Sequence, residues 1–231
     1  MSFLPESMST VAPEVDSLFI LITALVIFWF TVVVAALFYG VMTSLKKEGG
    51  KAKYITGESW SQSKWLWIPL VLVILSDLTI DMKTVGTWSK VMIEADQPAA
   101  DYDVKIVGHQ FYWEIIYPGP DGKILTADDV TDPDGGELVL PVGKVSKLHL
   151  TSGDVLHSFF VREFRFKNDV IPGRIITRWV QPTSEGTVDL MCAEICGPGH
   201  GLMGNKVKIV SEDEFKAYMT KLNSAAVAMA K

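Results

Sequence analysis

Cysteine and histidine are scarce in this 231-residue chain, which has two of the first and four of the second. Two cysteines exclude the disulfide-rich framework of small secreted domains. The sequence also lacks a Cys-x-x-Cys-His segment, so no covalently attached haem c is expected. It contains no internal repeat, and its formal net charge of −6 gives no reason to expect a nucleic-acid partner.

Charged residues are absent between Leu18 and Met42. The 25 residues of this segment predict a helix of about 37 Å, which is long enough to cross a hydrocarbon core of about 30 Å. A second apolar segment, which also contains polar and charged residues, runs from Trp65 to about Thr84. We therefore expect an extracytoplasmic N-terminal segment over residues 1–16 and a transmembrane helical hairpin over residues 17–92.

Asp77 interrupts the second apolar segment. An ionisable side chain inside a membrane span is costly and usually faces a partner or a water-filled path. Two interpretations are open. Either Asp77 contacts a neighbouring membrane subunit, or the second helix begins and ends earlier than Trp65 and Thr84.

Basic residues are absent before Lys46, whereas the connection between the two apolar segments carries Lys46, Lys47, Lys51, Lys53 and Lys64. Because cytoplasmic loops of membrane proteins are rich in lysine and arginine, the connection is predicted to be cytoplasmic. The N-terminus and the C-terminal domain of this two-pass protein would then face the periplasmic or outer side. The lack of positive charge before the apolar run and the length of that run argue against a cleavable signal peptide.

Short runs of alternating apolar residues, separated by turns rich in glycine, proline and aspartate, follow from about residue 101. This spacing predicts an all-β Greek-key domain over residues 93–210. The expected strands are 104–113, 137–142, 145–150, 156–166, 174–180, 187–191 and 206–210. Ser211 and Glu214 form a capping box, which predicts a C-terminal helix and tail over residues 211–231. The predicted fold class is an α+β membrane protein.

The two cysteines lie in Cys192-Ala-Glu-Ile-Cys196-Gly-Pro-Gly-His200-Gly-Leu-Met203, and His157 lies upstream in Asp154-Val-Leu-His157. Thiolates, imidazoles and a thioether form a soft ligand set that selects copper over hard cations. Two thiolates can bridge two metal ions, each of which then takes one imidazole and one weak axial ligand. Met203 and the main-chain carbonyl of Glu194 would supply the axial donors. The sequence therefore predicts a dinuclear copper centre for electron transfer.

Two other kinds of site also use cysteine pairs. A disulfide between Cys192 and Cys196 would suit an exported domain, but it does not need three further soft ligands beside it. A structural zinc site has no use for methionine, and Cys-x3-Cys-x3-His is an unusual zinc spacing. Copper is therefore favoured. His109 has no partner in this ligand set and is interpreted as a structural histidine.

This pattern resembles the dinuclear copper (CuA) site of subunit II of the haem-copper cytochrome c oxidases. The resemblance covers most of the chain and includes the segments Gly108-His-Gln-Phe-Tyr-Trp113, Thr151-Ser-Gly-Asp-Val-Leu-His157-Ser and Lys167-Asn-Asp169-Val-Ile-Pro-Gly-Arg174. It implies a cupredoxin fold and the metal ligands His157, Cys192, Glu194, Cys196, His200 and Met203. It also implies that the chain takes electrons from cytochrome c or an equivalent donor and passes them to a haem of subunit I, where oxygen is reduced to water with proton pumping.

The resemblance further implies partners and interface residues. The Glu194 side chain would share a magnesium or manganese ion with subunit I. Asp169 and Arg174 would lie over the haem propionates, although residues 172–174 are equally a plain turn. Subunit III is another expected partner, and a bacterial inner (plasma) membrane is the expected location.

The chain departs from the family pattern at two positions. Phe111 replaces the tryptophan at which electrons usually arrive, while Tyr112 and Trp113 are retained. Gln62 replaces a glutamate at the mouth of a proton path, and Glu58 lies one turn earlier. These differences indicate a divergent bacterial protein. They favour a fixed donor, such as a membrane-bound cytochrome in a supercomplex, over a mobile cytochrome c.

Residues 101–231 carry 18 acidic and 14 basic residues, with acids crowded between Asp121 and Glu137. This negative surface would attract a basic cytochrome, although a solvated loop or a weak calcium site is an equal alternative.

Two other functions are compatible with the resemblance. One is a copper-bearing subunit of a related nitric oxide reductase. The other is a non-redox structural subunit like that of quinol oxidases, but such subunits lack the copper ligands that this chain has.

Overall fold

The computed structural model describes residues 4–45, 54–93, 97–132 and 136–229. The chain divides into two compact units, one of Asp16–Thr87 and one of Met1–Val15 together with Trp88–Lys231. Two helices, α1 (Ala12–Ser44) and α2 (Trp60–Met92), have 33 residues each, and both are long and apolar enough to cross a membrane. Each helix is about 50 Å long, so its ends extend beyond a hydrocarbon core of about 30 Å.

Helix α2 continues without interruption through Asp77. It begins at Trp60 and ends at Met92, beyond both ends of the predicted segment. The helix therefore begins earlier than Trp65, as the second interpretation expected, but it does not end earlier than Thr84. No proline occurs between Pro69 and Pro98, so nothing in the backbone ends the helix where the apolar stretch ends.

The β domain is built from two five-stranded sheets. Its strands are β1 (Tyr102–His109), β2 (Tyr112–Tyr117), β3 (Val130–Thr131), β4 (Leu138–Pro141), β5 (Ser146–Ser152), β6 (His157–Val161), β7 (Phe166–Val170), β8 (Ile176–Val180), β9 (Gly186–Cys192) and β10 (Gly204–Val210). One sheet has the order β3-β2-β1-β5-β8 and the other β4-β10-β9-β6-β7. Pairs β1–β5 and β4–β10 are parallel. Along β5, buried and partly exposed residues alternate, as expected for a strand with one face on the core.

The predicted strand over residues 104–113 is in fact a hairpin of two strands. β1 ends at His109, and β2 begins opposite it at Tyr112. The turn contains Gln110 and Phe111, which are not typical turn residues, so no local signal marks it. The backbone N–H of Gln110 donates a hydrogen bond to the Asp154 carboxylate at 2.7 Å. A distant side chain therefore stabilises this turn.

The predicted strand over residues 156–166 is also interrupted. β6 ends at Val161, a short 3-10 turn covers Arg162–Phe164, and β7 then pairs antiparallel with β6. Arg165 has a φ of 55°, a left-handed conformation that is uncommon for a residue with a side chain. Its guanidinium Nη1 donates a hydrogen bond to the Arg162 carbonyl at 2.8 Å. This contact holds the reversal between the two strands.

The predicted C-terminal helix is confirmed as α3 (Glu212–Met229). The hydroxyl of Ser211 accepts a hydrogen bond from the backbone N–H of Glu214 at 3.3 Å, so one half of the capping box is present. Phe215 is buried and meets the ring of Tyr102 edge to face, with 4.8 Å between centroids. This aromatic contact attaches α3 to the first sheet.

The segment before α1 packs against the β domain. The Met8 N–H donates to the Glu163 carbonyl at 3.0 Å, and the Met8 carbonyl accepts from the Thr183 N–H at 3.0 Å. The Ser9 hydroxyl donates to the Phe164 carbonyl at 2.9 Å. Met8 and Ser9 are both buried. The beginning of α1 is thereby attached to the β domain.

Candidate metal centre

Strand pairing in the second sheet brings the predicted ligands to one end of that sheet. His157 is the first residue of β6, and Cys192 is the last residue of β9. These two strands are paired at Phe159 and Cys192. Met203 immediately precedes β10, which pairs with β9. The loop between β9 and β10 therefore folds back over the end of β6.

Each cysteine sulfur lies beside one imidazole nitrogen. The Sγ of Cys192 is 3.9 Å from Nδ1 of His157, and the Sγ of Cys196 is 3.6 Å from Nδ1 of His200. The two sulfurs are 3.9 Å apart. Because a disulfide bond is about 2.05 Å long, both cysteines are free thiols. The ligand atoms of His157, Cys192 and Cys196 all lie within 4.8 Å of one another.

Each sulfur also has one weak donor nearby. The Met203 Sδ is 3.7 Å from the Cys196 Sγ, and the main-chain carbonyl of Glu194 is 3.2 Å from the Cys192 Sγ. Met203 and Cys196 are 2% and 5% exposed. The structure therefore brings together two thiols, two imidazoles, one thioether and one carbonyl, with one imidazole and one weak donor beside each thiol.

The loop between the cysteines and His200 packs against the β1–β2 turn. A Cβ on Gly199 would lie 2.5 Å from the Phe111 ring, and one on Gly197 would lie 2.8 Å from Nε2 of Gln110. Gly197 also has a φ of 141°, which residues with side chains rarely adopt. The Gln110 side-chain N–H donates to the Cys196 carbonyl at 2.5 Å. Only glycine at these two positions allows this close approach.

Asp154 orients His157, a role that the sequence analysis missed. Its Oδ1 is 2.7 Å from Nε2 of His157, and it also accepts hydrogen bonds from the N–H groups of Gln110 and Val155. Burial alone would raise the pKa of the Asp154 carboxyl, but these hydrogen bonds outweigh it and lower that pKa to about 2. An ionised carboxylate can only accept, so Nε2 of His157 carries the proton and Nδ1 faces Cys192. An aspartate three residues before the histidine was the available signal.

The thiol of Cys196 is held in its protonated form. Burial, followed by the neighbouring Cys192, raises the pKa of the Cys196 thiol to about 11. A soft metal ion binds the thiolate, so binding must displace this proton. His157 is fully buried, which limits the access of water to the same group of atoms.

Tyr112 and Trp113, which are adjacent in β2, differ in exposure. Trp113 is 3% exposed, and its ring lies edge to face with that of His157 at 6.0 Å between centroids. Tyr112 is 55% exposed and stacks on His109 at 4.9 Å. Nε2 of His109 is 3.0 Å from the Glu114 carboxylate. Trp113 therefore contacts a predicted ligand, whereas the Tyr112 ring lies at the surface with His109.

The remaining predicted site residues lie apart from the sulfurs. Asp169 is opposite Ser158 in the β6–β7 ladder, one position from His157, and its carboxylate is 2.9 Å from the Lys167 ammonium. The hydrogen bond from Lys167 lowers the pKa of the Asp169 carboxyl. Arg174 is exposed in the turn after β7.

Glu58 and Gln62 lie near the start of α2. Glu58 is exposed. The Gln62 side-chain oxygen accepts a hydrogen bond from the N–H of Gly57 at 2.8 Å, so Gln62 stabilises the turn before the helix. This local contact is one that a charged glutamate at the same position could also make.

Comparisons with known proteins agree with this architecture. A family model described as cytochrome c oxidase subunit II, periplasmic domain, matches residues 102–210. An alternative cytochrome c oxidase subunit 2 from Bradyrhizobium diazoefficiens is 32% identical over 219 residues, which cover 86% of this chain and 76% of that protein. A probable cytochrome c oxidase subunit 2 from Rickettsia felis is 29% identical over 175 residues, which cover 71% of this chain but only 53% of that protein.

Among solved structures, the periplasmic domain of subunit II of a cytochrome oxidase from Bradyrhizobium japonicum is similar, with 31% identity and a TM-score of 0.48. That likeness covers 55% of this chain and 97% of the other. The sequence relationship to the Bradyrhizobium diazoefficiens protein covers 86% of this chain, which is more than the β domain alone. The chain therefore belongs to the cytochrome c oxidase subunit II family, as the membrane subunit II of a haem-copper oxidase.

Proposed function

We propose that this chain is the electron-transfer subunit of a respiratory terminal oxidase. Its residues would hold a dinuclear copper centre, through which electrons from a cytochrome would reach a haem of subunit I, where oxygen would be reduced to water with proton pumping. The observation that supports this most is the pair of free thiols 3.9 Å apart, each flanked by one imidazole nitrogen. A disulfide does not fit this distance, and a structural zinc site would not require Met203.

The donor set fits two copper ions. His157, Cys192, Cys196, His200, Met203 and the carbonyl of Glu194 would hold them. When bound, two copper ions would supply a centre that takes up and gives up single electrons. Soft sulfur and imidazole donors match copper, and no carboxylate side chain is needed.

The protein holds the proposed ligands in place with backbone hydrogen bonds. The Ala193 N–H donates to the Ser158 carbonyl at 2.9 Å, and the Cys192 N–H donates to the Met203 carbonyl at 3.2 Å. These bonds fix the ligand loop, which is the segment between β9 and β10. The first bond attaches its beginning to β6, and the second joins its two ends. Because the ligands are held in place before an electron arrives, little reorganisation accompanies transfer.

Subunit I is the proposed partner on the side of the ligand loop. Ile195 and Leu202 lie in this loop and are 83% and 87% exposed, and a partner subunit would cover the apolar surface that they contribute. In the same proposal the Glu194 side chain shares a magnesium or manganese ion with subunit I, and Asp169 and Arg174 face its haem propionates. Subunit III completes the assembly.

We propose an outward-facing copper domain in a bacterial inner membrane. The lysines between the two helices favour a cytoplasmic connection. The attachment of Met8 and Ser9 to the β domain supports a hairpin whose two outer ends are on the same side. For proton uptake, Gln62 cannot carry a proton, so Glu58 or another subunit begins the path.

Electron transfer through the copper centre is tested by copper removal from the intact complex. Reduced cytochrome is mixed with the oxidised complex in a stopped-flow instrument, and the absorbance of the subunit I haem is followed. We expect haem reduction to slow by more than about 100-fold after copper removal and to recover when copper is restored. Equal rates with and without copper would exclude the proposed path. Turnover with oxygen, compared with nitric oxide, separates an oxidase from a nitric oxide reductase.

The donor is expected to be fixed rather than mobile. Phe111 lies against the ligand loop and has no indole N–H, which leaves the exposed Tyr112 as the outer aromatic ring. Oxidase activity with soluble cytochrome c should therefore be slow and should depend weakly on ionic strength. Phe111→Trp should raise it if the ligand loop accommodates the larger ring. Fast turnover that falls steeply with added salt, as expected of collisional docking between charged proteins, with no gain from the tryptophan, would establish a mobile donor instead.

A further inference from the structure

Asp77 lies deep within the apolar part of α2. Lys64 and Lys83 bracket this part of the helix. At 1.5 Å per residue, Asp77 is about 20 Å from Lys64 and about 9 Å from Lys83 along the helix axis. Since a hydrocarbon core is about 30 Å thick, the Asp77 carboxyl lies inside it, in the half nearer to Lys83.

The polar groups next to Asp77 are already satisfied. The Ser76 hydroxyl donates to the Leu72 carbonyl at 2.9 Å and accepts from Nε1–H of Trp29 at 3.2 Å. The Asp77 carboxylate, in contrast, is exposed and has no hydrogen bond or ion pair with the residues that the structure describes. A carboxylate inside a membrane needs a partner, and α1 and α2 do not supply one.

Asp77 borders an open groove of about 440 Å³ between α1 and α2. On α2 the groove is lined by Val73, Ser76, Asp77 and Ile80, whose spacing places them on one face of the helix. The side of α1 is apolar apart from the indole of Trp29. The groove therefore combines an apolar surface suited to another helix with a single negative charge.

We propose that a transmembrane helix of a partner oxidase subunit occupies this groove and pairs a lysine or arginine with Asp77. Lipid chains carry no group that could pair with the carboxylate, and their headgroups lie nearer the level of Lys83. A buried water needs two to four polar partners, which the groove does not offer beyond Asp77. A lysine or arginine on a helix packed in the groove would pair with the Asp77 carboxylate, and the helix would cover the apolar lining. This proposal concerns assembly and does not depend on the copper chemistry.

The pairing is tested in the intact complex, extracted from membranes in mild detergent. Asp77→Leu should lower the fraction of this chain that stays with the other subunits by about tenfold or more, because it leaves the partner's cation unpaired. Asp77→Asn should cause a smaller loss, since the amide still accepts a hydrogen bond, and Asp77→Glu should restore retention. Asp81→Asn is the matched control, because Asp81 lies one turn nearer the interface, and it should leave retention unchanged. Copper content measured in the same samples separates a failure of assembly from a failure of the copper site.

A second measurement keeps Asp77 intact. The photo-crosslinking residue p-benzoylphenylalanine is placed at Val73, on the groove, or at Leu75, on the opposite face of α2. We expect the probe at Val73 to label another subunit and the probe at Leu75 to label lipid. Labelling of lipid alone from Val73, or unchanged retention of the Asp77→Leu variant, would overturn the proposal.

Discussion

Replacing Cys196 by serine should abolish electron transfer by the assembled complex. A serine hydroxyl is neither a soft donor nor a ready bridge between two metal ions, so the variant should hold at most one copper ion. Steady-state oxidase activity should fall by more than about 100-fold, beyond the 10- to 100-fold losses that are typical when only an outer partner of a ligand is removed. Copper per complex, measured by metal analysis, should fall with it.

Ile195→Ser is the matched control for the copper measurement in this experiment. Ile195 lies in the same loop, next to Cys196, but it is 83% exposed and none of its side-chain atoms is a metal donor. Its variant should retain two copper ions. Oxidase activity of the Cys196→Ser complex close to that of the unmodified complex would show that the two thiols have no part in electron transfer.

The second large effect is expected at Asp154, which binds no metal itself. Asp154→Ala removes the acceptor for Nε2–H of His157, a residue that is fully buried. An unpaired buried donor costs about 1–3 kcal/mol, and the imidazole becomes free to rotate or to change tautomer. Copper affinity should therefore fall by about 10- to 100-fold, as measured by competition with a chelator.

Asp103→Ala provides the control for Asp154. Asp103 also bonds a histidine, with its Oδ1 2.7 Å from Nε2 of His149, but neither residue belongs to the ligand set. Its loss should leave copper affinity unchanged. The copper affinity of Asp154→Asn should lie between those of the Asp154→Ala and unmodified proteins, because the amide oxygen can still accept a hydrogen bond from His157 but carries no charge. Equal copper affinity in the Asp154→Ala and unmodified proteins would mean that strand β6 alone fixes the imidazole.

The proposed metal ligands could be predicted from the sequence because most of them are local. Cys192, Cys196, His200 and Met203 share one short segment, and the donor types alone indicate copper. The two apolar helices and α3 were also predictable, since charge-free runs and capping residues are local signals. The fold class predicted from the strand spacing is confirmed by the family relationship.

The features that the sequence did not reveal depend on long-range contacts. The β1–β2 turn at Gln110 is held by Asp154, which is 44 residues away, and no turn residue marks it. Ser9 bonds to Phe164 across 155 residues, so the attachment of the N-terminal segment has no local signature. The role of Asp154 was likewise hidden, because orientation of an imidazole requires knowing which of its nitrogens faces the thiols.

Electron paramagnetic resonance of the intact, copper-loaded complex tests the central claim most directly. If both thiolates bridge two copper ions, one unpaired electron is shared equally by two nuclei, each with a nuclear spin of three halves. The account predicts a seven-line hyperfine pattern with two copper ions per chain at this centre. A four-line pattern from a single copper ion, a bound zinc ion, or a disulfide between Cys192 and Cys196 in the active complex would contradict it.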